Sequence, residues 1–292
     1  MILAIGEILF DEFPAGRRLG GAPYNFACHI KRLGLEVTLA SRVGNDPPGR
    51  EILARTTKVG LDPGSVQIDP HHPTGKVKVS LDRQGRARFT ILPQMAYDHI
   101  ALDDRLESLM AAGPSLVYFG TLAQRTASAH RRLQDLLSRR PARTRGFCDI
   151  NLRPGQFTCA VVQACLAQSD ILKVSDEELS VLAVMFALPG PQDRQIAALM
   201  QRFGIETIAV TCGSRGAALY QGLQRHWAPS RLPGPLGDTV GAGDAFSAVL
   251  ATGLRLGWTA PRILERAVRL AGRVCTVGGA VPDDPVMYEN IV

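Results

Sequence analysis

The stretch DTVGAGDAF, Asp238 to Phe246, sets two glycines and two aspartates directly before the apolar run AFSAVLATGL, Ala245 to Leu254. A glycine-rich turn feeding an apolar helix leaves several backbone N–H groups at the helix start without partners. Those donors can converge on an anion, and the helix dipole adds favourable potential. Gly241, Ala242 and Gly243 therefore form a candidate anion hole for charge developing on a transferring phosphoryl group. Asp244 falls in the first turn, where the dipole field favours an ionised carboxylate able to take the proton of an attacking hydroxyl. Read alone, the nine residues fit a capping aspartate and a tight turn equally well.

Working outward, short apolar strands alternate with helical segments: SLVYFG, RGFCDIN, DILKVS and TIAVTCG against ASAHRRLQDLLSRR, CAVVQACLAQ, DEELSVLAVMFAL and RQIAALMQRFG. That rhythm predicts an α/β fold whose mainly parallel sheet is covered on both faces, with ligands beyond the carboxyl ends of the strands. Residues 1–10 read as a first strand with Asp11 at its carboxyl end. GGAPYNFACHIKRLG reads as the first helix, with Pro23 in its first turn and Gly34 closing it. TGKVKVSLDRQGRARFTIL alternates apolar and polar residues and reads as a hairpin turning at Asp82–Gly85, with one wet face, outside the main layer. No repeat or long linker divides the chain, so one domain over residues 1–292 is expected, with lid segments around 12–19 and 66–95.

The 292 residues are 46% hydrophobic and 21% charged, an ordinary globular balance. The formal charge of +6 is mostly arginine. Its densest run, Arg131 to Arg145, has no interleaved aromatics and reads as a solvated helix face, not a nucleic-acid surface. Six cysteines without a C-x-x-C pair suit reduced thiols in the cytoplasm. Glu7 and Asp11 interrupt the apolar start, which reads as a core strand and not a signal peptide. No apolar run approaches the length of a membrane span.

Competing nucleotide motifs are missing: there is no G-x-x-x-x-G-K-[ST], no G-x-G-x-x-G after the first strand and no H-R-D or D-F-G set. Instead, GGAPYNFACHIKRLG and DTVGAGDAF together resemble the two signatures of the PfkB, or ribokinase-like, carbohydrate kinases. The likeness is collinear through R-V-G-N-D-P-P-G at 42–49, P-T-G at 73–75, D-I-N-L-R at 149–153, K-V-S-D-E-E-L at 173–179 and T-x-G-x-x-G at 211–216. It implies a ribokinase-like three-layer α/β/α fold with a small β lid, acting as an ATP- and Mg²⁺-dependent sugar kinase.

Carried over residue by residue, the resemblance makes Asp244 the catalytic base and Gly241, Ala242 and Gly243 the anion hole. It puts the sugar against Asp11, Asn25 and the backbone of Gly20 and Gly21, with Arg153 facing either an acidic sugar or the phosphates. The nucleotide would meet Thr211 and Gly213, with Gly216 shaping the loop. The family's N-x-x-E motif, linked to Mg²⁺ and phosphate, aligns with Ser175 to Glu178, serine replacing asparagine. Many members bind a monovalent cation such as K⁺ beside the anion hole; Asp238, Val240 and the carbonyls of Val274, Val277 and Gly279 would be the matching ligands. The branch resembled most is that of fructokinases, with ribose, 2-keto-3-deoxygluconate and nucleoside kinases, or a catalytically silent binding module, as alternatives. Only eight residues separate Asp11 from Gly20, which implies trimmed first lid strands, and a homodimer stays open. Of the remaining residues, His29 reads as packing with reach to the sugar as the alternative, Arg215 as a phosphate contact or a solvent-facing side chain, and the adjacent His71 and His72 as no metal site.

Overall fold

The computed structural model describes residues 1–14, 16–81, 87–222 and 224–292. Among them nine strands form a central sheet: β1 (Ile2–Ile5), β4 (Val37–Gly44), β5 (Val66–Asp69), β8 (Leu116–Phe119), β9 (Arg145–Asp149), β10 (Ile171–Ser175), β11 (Thr207–Thr211), β12 (Gly216–Gln221) and β13 (Gln224–Pro229). Their spatial order is β13-β12-β11-β10-β9-β8-β1-β4-β5. Every pairing is parallel except β11–β12 and β12–β13.

Alternate residues of the parallel strands enter different cores. In β1, Ile2 and Ala4 pack under α1 (Ala22–Arg32), α2 (Pro47–Val59), α8 (Ala242–Arg255) and α9 (Ala260–Val274). Leu3 and Ile5 face the other layer, α3 (Asp104–Ala111), α4 (Ala127–Ser138), α5 (Cys159–Ala167), α6 (Asp176–Met185) and α7 (Gln192–Phe203). Burial on both faces is why these strands read as unbroken apolar runs. The result is a three-layer α/β/α architecture.

A second sheet, in the order β3-β2-β6-β7, joins β2 (Leu9–Phe13), β3 (Gly16–Gly20), β6 (Gly75–Leu81) and β7 (Ala87–Ile91). Here the sequence reading needs correction. Residues 1–10 are not one strand: the chain leaves the main sheet after Ile5 and re-enters strand geometry only at Leu9, in the small sheet. Asp11 therefore belongs to the small sheet rather than to the end of a core strand. The eight residues between Asp11 and Gly20 still provide a five-residue strand pairing of β2 with β3. β6 shows the expected alternation, Val77 and Val79 buried against exposed Lys78 and Ser80. The turn expected at Asp82–Gly85 lies outside the described residues. β13, which the sequence did not announce, adds an antiparallel edge beside β12.

Helix boundaries follow local chemistry. Asp46, Asp103, Thr126, Thr158 and Ser175 each cap a helix by accepting a backbone N–H with the side chain. Gly60 and Gly204 end α2 and α7 in the left-handed conformation. On the α1 side, the Phe26 ring stacks on Tyr118 with centroids 3.9 Å apart and meets Phe147 edge-on at 6.1 Å. This aromatic cluster fixes α1 over β8 and β9, directly below the site described next. Phe26→Ala should lower unfolding free energy by about 3–5 kcal/mol, measured as a shift in urea midpoint with unchanged slope.

Candidate active site

The strand register assembles the site before any loop contributes. Lys173 of β10 lies beside Asp149 of β9, and Ser175 lies beside Thr211 of β11. Asp149, Ser175 and Thr211 end adjacent parallel strands, with Lys173 two residues before the end of β10, on the side where open α/β sheets bind ligands. The Lys173 ammonium donates to Asp149 Oδ1 at 3.0 Å. Asp149 Oδ2 accepts from Ser247 of α8 at 2.8 Å and from Tyr118 at 3.1 Å. Burial works against the charge on Lys173, but Asp149 and then Glu178 outweigh it and hold its pKa above the ordinary lysine value.

Over this buried pair sits the start of α8. Its N-cap, Gly241, has φ 83° and no side-chain cap. A Cβ there would lie 2.4 Å from Ala280 Cα, so the turn tolerates no side chain. Ala242 N–H donates to Thr239 O at 3.3 Å, whereas among the described residues Gly241, Gly243 and Asp244 N–H have no acceptor. A Cβ on Gly243 would lie 3.0 Å from Lys173 Nζ. Free amides and a lysine ammonium thus converge below one turn, the donor set an oxyanion requires.

Asp244 is half-buried. Burial of the carboxyl, then the negative charge of Asp149, push its pKa up to about 7, against the pull of Asn25, Lys173 and Arg153. The dipole field that favours ionisation is outweighed, which corrects the expectation of a fully ionised carboxylate. A base with a pKa near working pH combines availability with proton-accepting strength. Asn25 Nδ2 donates to Asp244 Oδ2 at 2.7 Å. Asn25 Oδ1 is buried with no partner among the described residues, so it is an acceptor left for an incoming hydroxyl.

The other expected sugar contacts ring the same space. Asp11 Oδ2 would lie 3.2 Å from a Cβ on Gly20. Burial raises the Asp11 pKa, while Arg153 and Arg18 oppose it. Gly21 has φ 107°, and a Cβ there would meet Glu7 O at 2.5 Å. Arg153 is exposed and, among the described residues, makes no hydrogen bond or ion pair, yet its charge acts on Glu7, Asp11 and Asp244. It follows Asn151, whose φ of 39° marks a strained turn at the end of β9.

Several expected residues are occupied differently. Ser175 Oγ accepts Glu178 N–H at 3.1 Å, and Glu178 Oε2 accepts Ser175 N–H at 2.8 Å, a reciprocal cap for α6. Glu178 Oε1 accepts Leu152 N–H at 2.7 Å. Both carboxylate oxygens are spent on backbone, so this arrangement does not fit direct Mg²⁺ ligation, and Glu178 instead ties the 152 loop to α6. Arg215 pairs with Asp176 at the start of α6. Thr211 ends β11, and the loop closes through Cys212 N–H on Gly216 O at 2.8 Å, with Gly213 and Gly216 both at positive φ.

Around the expected cation position, Cys275 O accepts Gly237 N–H at 2.8 Å and Asp238 N–H at 3.3 Å, bringing both chain segments together. Asp238 Oδ2, however, accepts from Arg18 of β3 at 2.7 Å and Oδ1 from Val240 N–H at 3.1 Å. Val274 O accepts Val277 N–H at 3.3 Å. Among the described residues no group of three acidic, histidine or cysteine side chains could hold a metal. Asp238 is thus committed to joining the small sheet to the loop before α8. Val240 is exposed and Gly279 lies at φ 95° in the facing segment.

His29 is fully buried, its ring 3.1 Å from Ala280 O and 2.8 Å from Tyr288 Oη. Burial lowers its pKa to about 4, so it is neutral and braces the segment that packs on Gly241. Sequence reasoning passed over Glu7, Asp149, Lys173, Tyr118 and Ser247. Their signal was ionisable residues inside apolar strands, Lys173 in ILKVS and Asp149 in GFCDIN. Glu7 is buried, and desolvation raises its carboxyl to about 7, Asp244 adding to the shift.

Replacing Asn25 by Ala removes a bond that favours the Asp244 carboxylate, so the Asp244 pKa should rise. Any activity that needs ionised Asp244 should then fall several-fold at neutral pH, with the acidic limb of the pH–rate profile moved to higher pH, while the lost hydroxyl contact should remain as a raised KM at every pH.

With the geometry in place, comparison with known proteins is direct. The sequence matches the pfkB family of carbohydrate kinases over residues 13–287. A fructokinase from Salmonella typhimurium is 31% identical over 264 residues, covering 87% of this chain and 84% of that one. A fructokinase from Vibrio cholerae O395, solved in a fructose-, ADP- and calcium-bound form, superposes with TM-score 0.78 at 24% identity, covering 100% and 98% of the two chains. A fructokinase with bound ATP from Xylella fastidiosa superposes at TM-score 0.79 and 20% identity, covering 98% and 94%. Near-complete coverage, the collinear motifs and the carboxylate beside an open amide turn agree: the chain belongs to the pfkB family of carbohydrate kinases, phosphotransferases acting on a sugar hydroxyl.

Proposed function

We propose that this protein transfers the γ-phosphoryl group of Mg²⁺·ATP to a hydroxyl of fructose. The observation that carries the reading is Asp244: a cleft carboxylate with pKa about 7, beside the free N–H groups of Gly241 and Gly243. The sugar hydroxyl donates its proton to Asp244 as its oxygen attacks the γ-phosphorus. The bond from that phosphorus to the β,γ-bridging oxygen breaks, and ADP departs with the electron pair. Charge on the migrating group meets the amides of the α8 turn and the Lys173 ammonium. The Mg²⁺ accompanying ATP would supply charge screening on the phosphates; Glu178 holds the loop at 152 and is not its ligand.

The sugar lies against Asp11, Asn25 and the Gly20–Gly21 backbone, beneath the small sheet of β2, β3, β6 and β7; the expected lid segment 66–95 is shortened, because Val66–Asp69 is the edge strand of the central sheet. The nucleotide runs along Thr211, Gly213 and Gly216 towards Ser175. Fructose is supported by the Salmonella relative and by the fructose- and ADP-bound Vibrio fold neighbour. Six free cysteines suit a reducing compartment, the cytoplasm; no helix among the described residues is long and apolar enough to cross a membrane. Arg153 favours a second reading. A free guanidinium facing the acids of the cleft suits an acidic sugar such as 2-keto-3-deoxygluconate.

A panel of fructose, ribose, 2-keto-3-deoxygluconate and a nucleoside, with ADP formation as readout, tests the assignment. Fructose should give the highest kcat/KM; a preference for the keto acid that disappears in Arg153→Ala would select the second reading. Asp244→Asn should lower kcat by roughly 10²–10⁴-fold with little change in ATP affinity. Near-normal turnover in that variant would remove Asp244 from the mechanism.

A further inference from the structure

A second cluster of basic side chains, two arginines and three histidines, stands apart from the kinase site, at the opposite end of the parallel run, beyond β4 and the edge strand β5. It lines a cavity of about 420 Å³. Arg42 projects from β4, His71 and His72 from the segment joining Asp69 to lid strand β6, His99 from the turn at Ala96–His99, and Arg132 from α4.

The charge there is unbalanced. Among the described residues Asp69 is the one carboxylate lining the cavity, and it is buried and saturated. It accepts the N–H groups of His71 and His72 at 2.8 and 2.9 Å, lies 3.2 Å from the His72 ring, and forms an ion pair with Arg42, whose Nε is 2.8 Å away. Asp98, close by, spends its carboxylate on Arg125 at 2.6 and 2.7 Å and on Met95 N–H. Arg132 is held by carbonyls alone, Ile100 O at 2.9 Å and Asp98 O at 3.1 Å. Those bonds fix the guanidinium without neutralising it. Burial and then the neighbouring charge of Arg42 lower the Arg132 pKa. The rings of His72 and His99 stack 3.6 Å apart at 14°. Burial and His72 together lower the His99 pKa. Asp69 balances Arg42 alone, so the fixed guanidinium of Arg132 has no counter-anion among the described residues.

We propose that this cavity binds the phosphate monoester group of a small metabolite, gripped by Arg132 and Arg42 with hydrogen bonds from His71, His72 and His99. Guanidinium groups fixed in place suit the several acceptor oxygens of a phosphate, and Ala101 and Leu102 give its carbon skeleton an apolar wall. The site sits at the root of the lid. Thr74, two residues past His72, bonds Asp46 Oδ2 through its N–H at 2.9 Å and accepts Gly44 N–H at 3.0 Å. An occupant therefore links the stem of β6 to α4.

The test uses the histidines as reporters. The chain has six, three in this cavity and three elsewhere, His29, His130 and His226. The full-length protein without ATP is titrated separately with inorganic phosphate, glucose 6-phosphate and AMP while imidazole NMR resonances are followed. Resonances of His71, His72 and His99 should move together with one dissociation constant, and those of His29 and His226 should stay. Arg132→Gln should weaken that constant by about tenfold or more. His71→Ala removes an exposed side chain and should weaken it several-fold even if Arg132→Gln fails to fold. The ligand bound most tightly identifies the source of the phosphate. Stationary cavity resonances at about 10 mM of all three probes, far above the range of specific small-ligand sites, would overturn the proposal, as would His71→Ala binding like the parent. Activity of the kinase site enters none of these readouts.

Discussion

The ion pair between Lys173 and Asp149 is the constraint on which the site depends. It forms between neighbouring strands beneath the first turn of α8, with Ser247 and Tyr118 completing the bonds to Asp149. A buried pair of this kind is weak ground for stability, because desolvation offsets much of the attraction. Its consequence is electrostatic. The ammonium places positive charge under the glycine turn, while the carboxylate beside it adds to burial in raising the pKa of Asp244, against the pull of the ammonium itself. One pair thus prepares both an anion site and a base.

The anion hole also depends on the far end of the chain. Gly241 can turn as it does only because nothing but hydrogen occupies its side-chain position against Ala280. Ala280 is held by buried His29, which in turn bonds Tyr288. Helix α1 therefore contributes twice, with Asn25 towards the catalytic carboxylate and His29 towards the segment behind the turn. The small sheet reaches the same loop from above, through Arg18 on Asp238.

Much of this was legible in the residues. Alternating short apolar runs and amphipathic helices gave the layered sheet, because burial on both faces erases polar alternation and leaves only length as a signal. The glycine turn before α8 was readable because few residues but glycine permit that backbone. The split of residues 1–10 was not readable: Leu9 and Phe10 are as apolar as Ile2 to Ile5, and periodicity does not say which sheet a strand joins. Lys173 and Asp149 escaped for a related reason, since a charge within an apolar run has meaning only once its partner is known. Glu178 shows the reverse case. Its position in the motif suggested a metal ligand, but both its oxygens hold backbone amides.

The sequence by itself determined the local geometry: where helices begin, where glycine must turn, and which strands are buried on both sides. These follow from nearest-neighbour chemistry and side-chain periodicity. Tertiary structure alone decided which charges meet. Asn25, Asp149, Lys173 and Asp244 span over two hundred residues of chain, and the protonation of Asp244 and Lys173 depends on burial and on the distance of the others. Electrostatic energy is a property of positions in space, and no order of residues along a chain states it.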